Sequence, residues 1–381
     1  MTPKDVLTNP YFCPMPWTGL MYNFDGTVKN CIRSAAPIGN IQQHSIQEIL
    51  HGKENIQTQN QIIDRQPGKN CHPCYDLERG KNNLDMISDR IFYIRELKHV
   101  PLETYQSNNH ELHTIDVRWS NLCNFGCVYC GPTFSSRWAQ ELRTEINEPS
   151  EEQKNSFKSY IFDHAATLKH VYLAGGEPLL MKQNLELLDI LQKVNPTVSL
   201  RVNTNLSKAD TAVFDRLCDF PNVHWTVSVE SLEEEFEYIR YGGKWKDFCE
   251  NLGIIKKLPH KITFNMLHFL LNFRSFFDCV AFLQKSGFHN NSFVAGALLN
   301  PDYLNIRHLP DFVLESIKKT LENKIDERPG YLLEDSYRNI RSYLDQPMEK
   351  NLSRSFDELT EMDRRRNLDS KKTFLELYSL K

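Results

Sequence analysis

The sequence holds no uninterrupted apolar run approaching the roughly 20 residues that a membrane-spanning helix needs. Its opening, MTPKDVLTNPYFCPMPW, lacks the apolar centre of a secretory signal. It also lacks a basic excess: 45 Lys and Arg stand against 49 Asp and Glu, a net charge of −4. A polyanion partner is therefore not indicated, because a nucleic-acid binder usually shows clustered positive charge. Low-complexity segments and internal repeats are missing too. What remains is a globular chain without an export signal, for which a reducing cytoplasm is the expected setting. Its ten cysteines are then better read as metal ligands and core residues than as disulfides. A length of 381 residues gives room for two domains, or for one large domain with an appendage.

Three of the cysteines, Cys123, Cys127 and Cys130, fall in RWSNLCNFGCVYCGPTFSSRW with the spacing C-x3-C-x2-C. Thiolates this close can converge on one centre, but they leave a tetrahedral zinc one ligand short. A [4Fe–4S] cluster can accept three cysteines and leave one iron without a protein ligand. That vacancy suits a chelating substrate or cofactor. A zinc knuckle is the plainer alternative.

From residue 114 onward, short β-rich runs alternate with amphipathic stretches. The runs are 114–120, 169–176, 198–205, 223–231, 261–269 and 291–299, with amphipathic segments at 183–194, 209–220 and 273–287 among those between them. Such alternation implies parallel βαβ units, and six of them make an open (β/α)6 barrel with its site at the C-terminal strand ends. The cysteine triad directly follows the first of these runs, which puts it at that mouth. Residues 1–112 are polar, loop-rich and hold four cysteines; beyond about 305 the pattern is helical, in 310–324 and 356–380. The expected division is 1–112, 113–305 and 306–381. Arg364, Arg365 and Arg366, with Glu361, Asp363 and Asp369 nearby, are expected on a solvated helix face.

With Tyr129 just before its last cysteine, the triad resembles the signature of radical S-adenosylmethionine enzymes. The resemblance implies that Cys123, Cys127 and Cys130 hold a catalytic [4Fe–4S] cluster. Its open iron would bind the amino and carboxylate groups of S-adenosylmethionine, and one electron would release a 5′-deoxyadenosyl radical. Gly175-Gly176-Glu177-Pro178, after the second run, matches the family's GGEP motif. Glycine lets backbone approach a ligand, and the carbonyls and Glu carboxylate can accept from an ammonium group. A plain strand-to-helix turn with Pro178 in its first helical turn is the alternative. Asn203-Thr204-Asn205 is similar to the family's T-N-G stretch, with Leu206 in place of the glycine, and brings Asn205 to the cofactor pocket.

Ser228 and Glu230 share one face where relatives carry S-x-D. Ser228 would serve the ribose hydroxyls, and the Glu-for-Asp change leaves that carboxylate's role open. Arg240 stands at the offset where related arginines pair with the methionine carboxylate; a surface salt bridge with Glu237 is the alternative. On the fifth run, Asn265 and His268 point to opposite faces. His268 is either an acid–base group or a satisfied histidine at a strand end. Cys218, Cys249 and Cys279 lie in apolar helical contexts, away from strand ends, and are expected as small core residues.

The remaining cysteines are Cys13, Cys31, Cys71 and Cys74. Between them, Asp25-Gly26 signals a hairpin turn, SIQEILHG a short helix, and CHPC two adjacent ligands. This order resembles the twitch domain, the shortened form of the SPASM auxiliary-cluster domain, here placed before the barrel. It implies a second, auxiliary [4Fe–4S] cluster closed by four thiolates, with structural zinc as the alternative. A closed cluster cannot bind substrate; it can pass or accept an electron.

The fold expected is therefore α/β: a partial (β/α)6 TIM-like barrel preceded by a small twitch-type Fe–S module and followed by C-terminal helices. The expected activity is hydrogen-atom abstraction from an unactivated C–H bond of a small molecule or peptide, leading to oxidation or bond formation. An external one-electron reductant such as flavodoxin or ferredoxin would feed it. A zinc-stabilised cysteine module without catalysis is the rival reading.

Overall fold

The computed structural model describes residues 8–79, 88–327 and 332–380. Residues 1–7 of the opening segment and Gly80 at the end of the N-terminal module lie outside the described residues.

The N-terminal module contributes β1 (Gly19–Asn23), β2 (Thr27–Lys29) and β3 (Gly39–Asn40). Asp25 and Gly26 close the β1–β2 hairpin as their sequence predicts. Gly26 takes φ +83°, its N–H donates to Asn23 O at 2.9 Å, and Asp25 Oδ1 accepts from Thr27 N–H at 3.0 Å. Ser45 starts the helix Ile46–Leu50 through a complete capping box with Glu48.

The six β-rich runs become β4 (Thr114–Arg118), β5 (His170–Leu173), β6 (Ser199–Thr204), β7 (Val223–Ser228), β8 (Lys261–His268) and β9 (Phe293–Ala297). Helices Lys182–Val194, Ala212–Cys218 and Ser275–Lys285 occupy the expected amphipathic segments. The architecture is α/β, a partial (β/α)6 TIM-like barrel with a helical C-terminal part. By contact, the chain divides into two compact units. One is Met1–Leu122 with Thr144–Val202 and Thr211–His224; the other is Cys123–Arg143 with Asn203–Asp210 and Trp225–Lys381.

In the first unit, β4 pairs in parallel with β5 and β5 with β6, in the register Asp116↔Tyr172↔Arg201. The pattern of the chain gave no sign of what lies on the other side of β4. There β1 pairs in parallel, from Gly19↔Thr114 to Asn23↔Arg118, so the N-terminal module continues the sheet and covers an otherwise open edge. Helix Glu151–Asp163 was also unforeseen, because only Phe157 and Ile161 of its polar sequence are buried; its start is nonetheless marked by the Ser150–Gln153 capping box.

In the second unit, β8 pairs in parallel with β9 over a core of fully buried Phe264, Phe269, Phe276 and Phe293. The stretch expected as helix at 356–380 is broken. Helix Leu352–Arg366 ends at Asn367, which adopts the left-handed conformation (φ +53°) favoured at such caps. Short helices Ser370–Thr373 and Leu375–Tyr378 follow. Among the described residues, no helix is long and apolar enough to cross a membrane.

His268 is fully buried, stacked on Phe276 at 4.4 Å between ring centres, with Nε2 at 3.1 Å from the Phe273 carbonyl. It is a core histidine. Burial holds its pKa down to about 4, against 6.5 for a free imidazole. The unfolded chain therefore takes up this proton first as pH falls. The group costs no stability above pH 6.5 and progressively more towards pH 4. Half-buried His110, also held down to about 4, acts with the same sign. His268→Phe should flatten the fall of the urea midpoint between pH 6.5 and 4.5, at about 1.4 kcal/mol per pH unit. An unchanged slope would contradict a buried neutral imidazole.

Candidate active site

The triad lies in the second unit, on a loop whose backbone is bonded to its surroundings at several points. Gly126 N–H donates to Tyr241 O and Val128 N–H to Ile239 O, both at 2.8 Å. Trp138 Nε1–H donates to Cys127 O (2.8 Å), Ser135 Oγ–H to Phe125 O (2.7 Å) and Arg137 Nη1 to Asn124 O (3.0 Å). Cys127 is buried, and Cys123 and Cys130 are half-buried. Donors point at the sulfurs. Phe125 N–H and Asn205 Nδ2 approach Cys123 Sγ at 3.5 and 3.9 Å, and Arg240 Nη1 approaches Cys127 Sγ at 4.0 Å. Burial pushes Cys127 up to about 12 and raises Cys130, while the Arg240 charge opposes both shifts. The donors and the Arg240 cation turned towards sulfur favour the thiolate form, against the larger effect of burial. Among the described residues, no three His, Cys, Asp or Glu side chains are gathered so as to hold a metal ion.

Arg240 does not pair with Glu237. That carboxylate instead accepts from Lys244 Nζ (2.7 Å) and Trp245 N–H (3.1 Å). Arg240 is 2% exposed and grips Glu230 through Nε–Oε2 at 2.7 Å and Nη2–Oε1 at 2.8 Å. Tyr129 Oη donates to Glu230 Oε1 at 3.0 Å, and burial raises its phenol well above the usual range. Tyr129, Glu230 and Arg240 thus form one buried network against Cys127. Ser228 is half-buried at the end of β7.

Asn205 Nδ2 also donates to Asn124 Oδ1 (3.1 Å), and Ser207 N–H donates to Asn205 Oδ1 (2.9 Å). Asn124 and Ser207, absent from the expected site, complete this bracket through a 2.9 Å bond. Leu206, at the position of the family's glycine, takes φ +55° and is fully buried. A left-handed leucine costs roughly 1–2 kcal/mol, an amount that burying its side chain can offset.

Of the C-terminal basic run, Arg364 is exposed and paired with Glu361, as a solvated helix face requires. Arg366 is not on that face. Its side chain is 1% exposed and lies over Trp138 and Tyr241, because those rings make the cation's burial favourable.

In the first unit, GGEP follows β5. Gly175 takes φ +112°. A Cβ on Gly176 would come within 2.2 Å of Leu122 O and 2.6 Å of Asn121 O, so backbone meets backbone there. Glu177 N–H donates to Leu122 O at 2.7 Å. Leu122 immediately precedes Cys123 in the chain, so the turn is bonded to the residue from which the triad loop departs. The Glu177 carboxylate is buried and accepts from Leu179 N–H at 3.1 Å, capping the 3-10 turn Pro178–Leu180. The Pro178 carbonyl accepts from Asn184 Nδ2 at 2.9 Å.

The four N-terminal cysteines also fall in the first unit. Each thiol is raised chiefly by burial, Cys31 to about 12 and Cys71 to about 11. Their mutual charge adds to this: Cys31, Cys71 and Cys74 all raise Cys13, and Cys71 and Cys74 raise Cys31. Backbone N–H groups of Met15, Arg33 and Arg90 face Cys13, Cys31 and Cys74. Arg90, clamped by Glu78, donates to the Pro10 and Phe12 carbonyls at 3.1 and 2.8 Å. It ties the segment before Cys13 to the helix that carries Cys74. Cys74 in turn raises Cys71, so Cys13, Cys31 and Cys71 each feel the charge of at least one other cysteine of the set.

Residues 117–283 match the Radical SAM superfamily, and residues 13–75 match SPASM, an iron–sulfur cluster-binding domain. The first match spans Cys123 through Arg240; the second contains Cys13, Cys31, Cys71 and Cys74. The chain thus carries a radical S-adenosylmethionine domain with a SPASM-type iron–sulfur domain ahead of it in sequence, and the cofactors of such domains are [4Fe–4S] clusters and S-adenosylmethionine.

No curated protein matches the chain. Among solved structures, native anSMEcpe with bound AdoMet and Kp18Cys peptide shares 16% identity over 56% of this chain and 59% of its own, with a TM-score of 0.42. Streptococcus suis SuiB bound to precursor peptide SuiA shares 14% over 68% and 58%, with a TM-score of 0.42. TYW1 with a lysine-pyruvate adduct bound shares 16% over 56% and 71%, with a TM-score of 0.32. The chain spans about three fifths of the length of the anSMEcpe and SuiB structures. At this level the likenesses do not bear on substrate.

Removing one partner of a buried ion pair strands the other. Glu230→Ala should therefore destabilise the protein by about 3–5 kcal/mol in chemical denaturation. The double variant with Arg240→Met should cost clearly less than the two single changes summed. Additive costs would mean the pair is not the buried unit described.

Proposed function

We propose that this chain is a radical S-adenosylmethionine enzyme whose catalytic cluster is held by Cys123, Cys127 and Cys130. The observation that carries the reading is the three-thiol loop with donors and the Arg240 cation turned towards its sulfurs. Bound there, the cluster supplies the electron that cleaves S-adenosylmethionine to a 5′-deoxyadenosyl radical able to abstract hydrogen from an unactivated C–H bond. Arg240, oriented by Glu230, which also accepts from Tyr129, answers the methionine carboxylate through Nη1, the atom now turned to Cys127 Sγ. Gly175, Gly176, Glu177 and Pro178 carry the motif that the family uses for the amino group, with the buried Glu177 carboxylate adding negative charge. Asn205 and Ser228 serve the nucleoside side. Cys13, Cys31, Cys71 and Cys74 hold the auxiliary cluster, which, having no open ligand position, supplies electron transfer. The functional division follows the sequence: cluster module 1–112, barrel 113–305 and C-terminal helices 306–381. A zinc module without catalysis would give the buried network beside Cys127 no task.

The reaction proposed is a net two-electron oxidation of a small molecule or peptide, with a flavodoxin- or ferredoxin-like donor starting each turnover. The substrate loses one hydrogen atom to the radical, then an electron and a proton. Returning a hydrogen atom instead would need a thiol near the substrate. Cys218 and Cys249 are half-buried on helices. Cys279 is closer to a strand end than its sequence context predicts: helix Ser275–Lys285 packs its thiol 3.7 Å from Ser231 O, just past β7. It is fully buried there and gives no access to a substrate.

Cys123→Ala/Cys127→Ala/Cys130→Ala should form no 5′-deoxyadenosine under dithionite, while anaerobic wild-type protein does so and carries iron in preference to zinc. Nucleoside production by the triple variant would refute the assignment. With a substrate in hand, turnover in deuterated water distinguishes the outcomes. Oxidation removes 2 mass units and leaves no deuterium at the abstracted carbon; deuterium retained there in a product of otherwise unchanged mass would show hydrogen return.

A further inference from the structure

Arg366 enters the triad loop from the far end of the sequence. Its Nη1 donates to Gly126 O at 2.8 Å, between the first two thiols, and its Nε donates to Glu141 Oε2 at 2.9 Å. The guanidinium carbon lies 4.2 Å from the Trp138 ring centre and 4.7 Å from that of Tyr241. Both residues brace the same loop, through Cys127 O and Gly126 N–H. Nη2 is buried without a hydrogen-bond partner, 3.3 Å from where a Cβ on Gly126 would stand. Glu141 must also serve Arg365, whose Nε donates to it at 3.0 Å.

Two carboxylates, Glu141 and Glu361, thus answer three guanidinium groups, those of Arg364, Arg365 and Arg366. A buried cation with an unspent donor is expensive unless an anion completes its surroundings. A cluster ligated by thiolates is such an anion, and the Gly126 contact puts Arg366 on the loop that would hold it.

We propose that Arg366 is a positioning residue for the catalytic cluster. It fixes Gly126 between two ligands and, through its incompletely neutralised charge, favours the reduced state of whatever the triad binds. The inference rests on the triad holding the cluster, as proposed above. Reduction adds a negative charge, which a cation in a poorly screened site stabilises more than it stabilises the oxidised state. The midpoint potential should therefore be more positive with Arg366 than without it.

The test is an anaerobic redox titration of the full chain followed by electron paramagnetic resonance, with Cys71→Ala/Cys74→Ala in every sample to remove the second set of thiols. Arg366→Gln should shift the midpoint to a more negative value and alter the line shape; Arg366→Lys should recover most of the shift. Glu141→Gln, which removes the compensating anion, should move it the opposite way. Identical midpoints in these variants, each with native circular dichroism, would overturn the inference. Should Arg366→Gln fail to fold, Glu141→Gln decides by itself, since an unchanged or more negative midpoint contradicts the proposal. Iron analysis separates the two levels. If triple alanine substitution of the triad removes no iron, the parent reading fails; if it removes iron while the midpoints stay fixed, only the role of Arg366 fails.

Discussion

A carboxylate and a guanidinium, Glu230 and Arg240, face each other with both side chains 2% exposed, and the geometry around the triad depends on that pair. Two charges taken out of water are tolerated only with good geometry and further hydrogen bonds. Both conditions are met. The pairing is two-pronged, Tyr129 Oη adds a third bond to the carboxylate, and the Glu230 carbonyl accepts from Asn272 Nδ2 at 2.8 Å. The pair locks the turn after β7 to the segment after Ile239. That segment in turn holds the loop through Val128 and Gly126. Cys127 is placed as a consequence.

Two buried arginines therefore border the triad loop, Arg240 towards Cys127 Sγ and Arg366 towards Gly126 O. Each keeps a donor beyond its pairing with a carboxylate. Arg240 has its anion but turns its remaining edge to sulfur; Arg366 shares its anion with Arg365. Positive charge held in reserve around thiols makes physical sense where the thiols are to become thiolates around an anionic centre. The same logic runs through the N-terminal module, where Arg33, paired with Asp89, lies beside Cys31 and Cys74.

Most of the barrel could be read from the sequence because its signals are local. Each strand is a short apolar run, the intervening helices other than Glu151–Asp163 are mostly amphipathic, and the Asp25-Gly26 turn and Ser45 cap depend on neighbours within three residues. The parallel pairing of β1 with β4 joins residues 95 positions apart, and GLMYN carries nothing that names its partner. The site shows the same division. The triad and GGEP are contiguous motifs. The choice of Glu230 over Glu237 for Arg240 was decided by packing, since the nearer glutamate in sequence turns outward to Lys244. Arg366 was read as solvated because its neighbours are charged. The signal that could have found it, Trp138 and Tyr241 converging on one point, exists only in three dimensions.

Everything turns on whether the triad binds a cluster with one iron open to S-adenosylmethionine. The most direct measurement is pulsed electron paramagnetic resonance of the reduced protein, carrying Cys71→Ala/Cys74→Ala, with S-adenosylmethionine labelled with nitrogen-15 at its amino group. The cofactor should change the cluster's signal and the label should be coupled to it, as a directly ligated amino group requires. A signal indifferent to the cofactor, with no coupling to the label, would contradict that ligation.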